Sequence, residues 1–407
     1  MATIAQTTPS QGSATSSSYL GAQAIISSLF FIFGFITCMN DILVPHLKAL
    51  FTLNYAQATL VQLAFFSSYF FVSIPSAKFC EKFGYKTGMW NGLLITGLGC
   101  LGLLLSAKTV EYPVFLASFF VLAGGITLIQ VAANPYVTIL GKPESSSFRL
   151  VMVQAFNSLG TTVAPILGTK LILEKGTASS IEAPYLVLAL CLFALAGFVF
   201  ISKLPKFSTA SGEKDETTWS ELFADRTLMM GTFGIFCYVG AEVAIGTFLI
   251  SWLGEAQVLS LPAQDAGRYV SFYWGSAMVG RFLGGALLTK LFPPKVLVTF
   301  VCGALGLTAL SVFSSGHLSM WAILLVGFCN SIMFPVIFSQ SIQHLSRGKE
   351  KASGLLCTAI VGGALIPYIM GLVADSASLK VSFIVPWICY VYLLVFAARL
   401  ARSRSVV

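Results

Sequence analysis

Charge is what this chain has least of. Asp, Glu, Lys and Arg make up 10% of its 407 residues, against about a quarter in a soluble domain. Hydrophobic residues make up 56%, more than a water-facing globule can enclose, so the solvent is lipid. Other absences narrow the chemistry. No Gly-rich loop ending in Lys-Ser/Thr occurs, which argues against an ATP-driven pump. The nine cysteines are scattered singly, nearly all in apolar runs, with no metal-ligand spacing, and read as small apolar side chains. No nucleophile–base constellation is present, so neither an enzyme nor a cofactor is expected. The Ser/Thr/Gln-rich start through Ser18 lacks Lys and Arg, unlike a cleavable signal peptide, and reads as a short disordered tail. The net charge of +8 does not imply a nucleic-acid partner, because the basic residues fall in short loops between apolar runs.

Those runs set the architecture. About 20 apolar residues cross a hydrocarbon core. Twelve runs of that scale lie near 21–47, 56–80, 87–107, 112–140, 149–174, 183–203, 227–253, 263–290, 295–315, 317–344, 351–374 and 379–401. The pattern predicts an all-α integral membrane protein. Most Lys and Arg residues fall on the side that holds the loops after even-numbered spans, so the positive-inside rule puts both termini in the cytoplasm of a cell with an inner membrane. The longest polar stretch, Lys203–Asp225, divides the chain into two sets of six spans. The expected layout is a tail at 1–19, a six-helix bundle at 20–203, a cytoplasmic linker at 204–226, a second bundle at 227–401 and a tail at 402–407.

The halves resemble each other. Pro165 and Gly168 in span five match Pro367 and Gly371 in span eleven, and Asn134-Pro135 in span four matches Asn330 with Pro335 in span ten. Internal repeats of this kind predict a midplane site between the bundles and alternating access by rocking.

Polar groups at membrane depth mark such a site. Asp41, with Asn40, interrupts span one before Pro45. It either titrates, accepts bonds from substrate hydroxyls, or ends a shorter helix in water. Glu242 has about ten apolar or small residues on each side and too short a stem to snorkel, so it has a functional role or a structural bond to a neighbouring helix. Gln130 and Asn134 share one helix face, and Gln154 and Asn157 share another. Such amides either glue helices together or bind a polyhydroxylated ligand, since each offers donor and acceptor to an OH group. Asn330 is a weaker candidate of the same type. Tyr273 and Trp274 are the aromatics to test first for stacking on a sugar ring, and Arg281 reads as a gate element paired with an acid or carbonyls. Lys82, in the basic loop after span two, is a second gate or structural residue.

Several motifs are familiar together. Gly34-Phe35 with Asn40-Asp41, Ala132-Ala133-Asn134-Pro135-Tyr136-Val137, Gln154-Ala155-Phe156-Asn157-Ser158-Leu159-Gly160 and Tyr238-Val239-Gly240-Ala241-Glu242-Val243 resemble the fucose/glucose/galactose–proton symporter family of the major facilitator superfamily. The resemblance implies two pseudo-symmetric six-helix bundles around a sugar site in a monomer. It implies that Asp41 serves sugar binding and proton coupling and that Asn157 contacts sugar. One position departs. The family commonly has Glu where this chain has Gln130, and Gln cannot release a proton. Coupling then rests on Asp41 and Glu242, or the carrier is uncoupled or uses sodium.

Overall fold

The computed structural model describes residues 16–50, 55–109, 111–168, 182–205 and 217–403, and among them every regular element is helical. In lipid each backbone N–H must find its partner within the chain, and long helices of Leu, Ile, Phe, Ala and Gly meet that requirement. The first half consists of α1 (Ser16–Leu50), α2 (Tyr55–Phe83), α3 (Tyr85–Thr109), α4 (Tyr112–Ile139), α5 (Ser146–Gly168) and α6 (Glu182–Ile201). A short α7 (Trp219–Ala224) leads into the second half. There α8 (Arg226–Gly254), α9 (Ala263–Leu288) and α10 (Pro293–Phe313) are continuous. The last three passes are broken, as α11 (Gly316–Asn330) with α12 (Met333–Ile342), α13 (Lys349–Thr358) with α14 (Gly362–Ser376), and α15 (Leu379–Ser382) with α16 (Ile384–Ser403).

Twelve helical passes result, as the runs predict. Ten are apolar enough over the described residues to cross a bilayer; α5 and α9 fall short. These two pack on each other across the seam between the halves. Their polarity is therefore spent inside the protein rather than against lipid.

Within the first half α3 lies along α4 and α6, and α1 along α5. In the second, α8 lies along α14 and α16, and α11 along α9 and α10. Glycine permits the closest crossings. A Cβ on Gly34 of α1 would lie 2.1 Å from the Asn157 carbonyl oxygen, and one on Gly362 would lie 2.2 Å from that of Phe236 in α8. Backbones that close exchange dispersion contacts no larger residue allows.

The connections after α2, α4 and α12 and the end of α6 share one face with α7, the linker face. Side chains tie it together. Lys86 Nζ donates to the last carbonyls of α6, Phe200 O at 2.7 Å, and to Ser202 O at 2.8 Å. Arg149 donates to the carbonyls of Val137, Thr138 and Lys142 and to Ser145 Oγ, capping the end of α4.

Candidate functional site at the seam

Two prolines determine where the halves bond. A proline has no N–H, so the carbonyl four residues earlier loses its helical partner. In α4 Pro135 frees Val131 O, and Ser353 Oγ of α13 donates to it at 2.9 Å from the other half. In the α11–α12 break Pro335 frees Ser331 O, and Arg281 Nε of α9 donates to it at 3.4 Å. The same guanidinium crosses the seam to α5, donating to Gln154 O at 3.0 Å and to Ser158 Oγ in a closer contact. Arg281 thus joins three elements and both halves through neutral acceptors.

The seam continues toward the linker face. Ser147 Oγ and Ser339 Oγ lie 2.7 Å apart, Gln340 Nε2 donates to Ser147 Oγ at 3.2 Å, and Lys351 pairs with Glu81 at 2.9 Å. Away from that face, Phe66 abuts Gly363 and Thr162 Oγ1 meets Met278 Sδ at 3.4 Å. The halves are shut from the linker face to mid-membrane.

Gln130 is buried, and its Nε2 donates to Tyr69 OH at 2.7 Å. One turn on, Asn134 is fully buried with neither amide atom hydrogen-bonded to another N or O among the described residues; the Cys357 thiol of α13 is its polar neighbour. Asn157 is buried and donates to Phe30 O of α1 at 3.1 Å. Gln154 is buried one turn from it. Asn40 and Asp41 fall within α1, and their side chains lie outside the described residues.

The second half is built differently. Asn330 Nδ2 donates to Tyr273 OH at 3.0 Å, and Tyr390 OH donates to Asn330 Oδ1 at 2.8 Å. Tyr273 OH in turn donates to the Glu242 carbonyl at 3.2 Å. Glu242 is buried in mid-α8, with the Tyr238 hydroxyl one turn earlier on its carboxyl and the Arg281 charge within range; Oε1 has no partner among the described residues. Both halves carry the same device, an amide in the fourth pass held by a tyrosine in the second: Gln130 by Tyr69, Asn330 by Tyr273.

Glu242, Asn330 and Tyr273 therefore form one cluster, and Arg281 connects it to the Gln154 turn of α5. Gln130 faces Tyr69 of α2, and Asn134 faces α13. Trp274 stands apart, 40% exposed against Gly246 of α8. Lys82 is exposed, with its ammonium 5.1 Å from the Phe83 ring centre, while its neighbour Glu81 makes the cross-seam ion pair. Sequence reasoning passed over Ser353, Ser158 and Tyr390. The four-residue proline rule points to the acceptor of Ser353; nothing in the local sequence singles out Tyr390.

Comparison with known proteins agrees with this architecture. The Major Facilitator Superfamily model matches residues 25–360. A glucose/galactose transporter of Brucella abortus biovar 1 (strain 9-941) is 45% identical over 90% of this chain and 91% of its own length. The L-fucose-proton symporter of Escherichia coli (strain K12) is 31% identical over 96% of this chain and 94% of its own. The crystal structure of the transporter FucP in the outward conformation matches with a TM-score of 0.87 at 29% identity, covering 94% of this chain and 99% of that one. With its twelve passes and these relatives, the chain belongs to the Major Facilitator Superfamily.

Proposed function

We propose that the protein is a proton-coupled hexose symporter of an inner membrane, working as a monomer by alternating access. The observation that carries the reading is Glu242, a buried carboxyl at mid-membrane with one oxygen unpartnered, linked through Arg281 to the amide-bearing α5 of the other half. A carboxyl there costs much less to move through a dry intermediate when protonated, and this ties rocking to proton binding. Gln130, Asn134, Gln154 and Asn157 offer paired donors and acceptors suited to sugar hydroxyls. The relatives named as sugar transporters support the substrate class. Asp41 and Asn40 join the site in this reading. The linker face is cytoplasmic in this reading, and the closed seam on that side is the inner gate.

Gln130 supports a second reading. Its amide bonds Tyr69 and cannot titrate, so coupling could use sodium or be absent. Vesicle uptake of a panel of labelled hexoses separates the two. The proton reading expects accumulation with an imposed pH gradient and none with sodium alone. Accumulation driven by sodium, or equilibration unaffected by either gradient, overturns it.

A further inference from the structure

The first half carries a groove on its outer surface. On the lipid side, α2 and α3 each lie along α4 but touch each other little, meeting where Gly88 packs on Cys80. Between them is a groove of about 370 Å³, with Pro75 and Phe79 of α2 and Asn91 and Ile95 of α3 as walls and Val121 and Gly124 of α4 as floor. A methyl on Gly124 would just reach Val72, at 3.6 Å. Aligning α4 with α11–α12 on Pro135 and Pro335 sets Val121 against Trp321 and Gly124 against Leu324. In the second half Trp321 packs edge-on to Phe272 of α9 at 6.1 Å, and Leu324 is buried. The groove is floored by smaller residues than stand at the matched positions of the second half.

Charge stands at the linker end of this groove. Phe83 continues its wall, with its ring 4.8 Å from Phe79. Lys82 lies over Phe83 at 5.1 Å, and Lys78 is one turn before it. Both lysines are exposed and have no carboxylate partner among the described residues. An apolar slot that runs beneath a pair of unneutralised ammonium groups at the membrane surface has the chemistry of a lipid with a negative headgroup. We infer that the α2–α3 groove binds one anionic phospholipid, an acyl chain over Val121 and Gly124 and the phosphate at Lys78 and Lys82. The site is separate from the seam and independent of the transport reading.

Native mass spectrometry of the detergent-purified full chain tests it with phosphatidylglycerol and phosphatidylcholine of identical chains. Phosphatidylglycerol is expected to be retained preferentially. Lys78→Gln with Lys82→Gln should weaken that retention by roughly ten- to thirtyfold and leave phosphatidylcholine binding unchanged. Val121→Trp with Gly124→Leu, which copies the second half, should abolish it. A thermal melt of each variant confirms folding, and if the filled variant fails to fold, Val121→Trp alone serves. Equal retention of the two lipids, or a preference that survives both sets of changes, overturns the proposal.

Discussion

The two halves solve one packing problem with different chemistry. Each holds an amide of its fourth pass with a tyrosine from its second, Gln130 with Tyr69 and Asn330 with Tyr273. In the first half the neighbouring Asn134 has no N or O partner among the described residues, only the Cys357 thiol beside it. In the second the bond extends through Tyr390 on one side and to the α8 backbone at Glu242 on the other. One half thus has spare hydrogen-bonding capacity and no charge among its described mid-membrane side chains; the other has its amide fully engaged around a carboxyl and a guanidinium. In the proposed reading the first half holds the neutral polar ligand and the second the coupling proton.

The largest effect is expected from removing the charge that distinguishes them. Glu242→Gln should collapse uphill accumulation in vesicles to equilibration, while counterflow of labelled sugar persists. Normal accumulation would reduce Glu242 to a packing residue and erase the contrast.

Next come the two amides. Asn330→Ala removes two buried hydrogen bonds, stranding the Tyr390 hydroxyl while Tyr273 keeps its bond to the Glu242 carbonyl, and Gln130→Ala removes one, at about 1–3 kcal/mol for a stranded group. Thermal unfolding in detergent should therefore fall further for Asn330→Ala than for Gln130→Ala. Equal losses would mean that the hub around Asn330 adds nothing to the stability of its half.

A smaller effect is expected at the seam. Ser353→Ala removes one neutral bond between halves, worth about 0.5–1.5 kcal/mol, and shifts the balance toward opening on the linker face by about two- to tenfold. Thiol labelling of a cysteine placed at Ser339 should rise by that factor; unchanged labelling would show that the bond does not hold the seam.

The smallest is at the start of the second half. Burial pushes the Asp225 carboxyl up, but the Leu228 N–H, the His344 ring at 2.7 Å and the Thr227 N–H outweigh it, leaving it below the usual carboxylate value. A depressed value means that the Asp225 contribution is full above the unfolded value and is lost as pH falls through the folded one. Wild-type protein should thus lose slightly more thermal stability than Asp225→Asn on acidification below about pH 4. Parallel losses would show that the pair does not pin α8 to α12.

Much of this was legible in the residues. The twelve passes follow from apolar runs. Glu242 and Arg281 stood out because charges are rare at that depth, and amides paired a turn apart marked α4 and α5. What was not legible is which amides are already engaged. Asn330 and Asn134 look alike in sequence, and the difference depends on Tyr273 and Tyr390, more than fifty residues from Asn330 along the chain. Trp274 beside Tyr273 was equally opaque, since neighbours in a helix point about 100° apart. The groove between α2 and α3 escaped because an empty space has no residue to announce it.

The proline at 135 has a last implication. It leaves Val131 O to be satisfied from outside its own helix, and the hydroxyl that answers belongs to a residue more than two hundred positions away. In the proposed alternating-access cycle, that oxygen would trade Ser353 for water each time the linker face opens. On that reading, a helix defect in one bundle contributes to how firmly the two bundles close on each other.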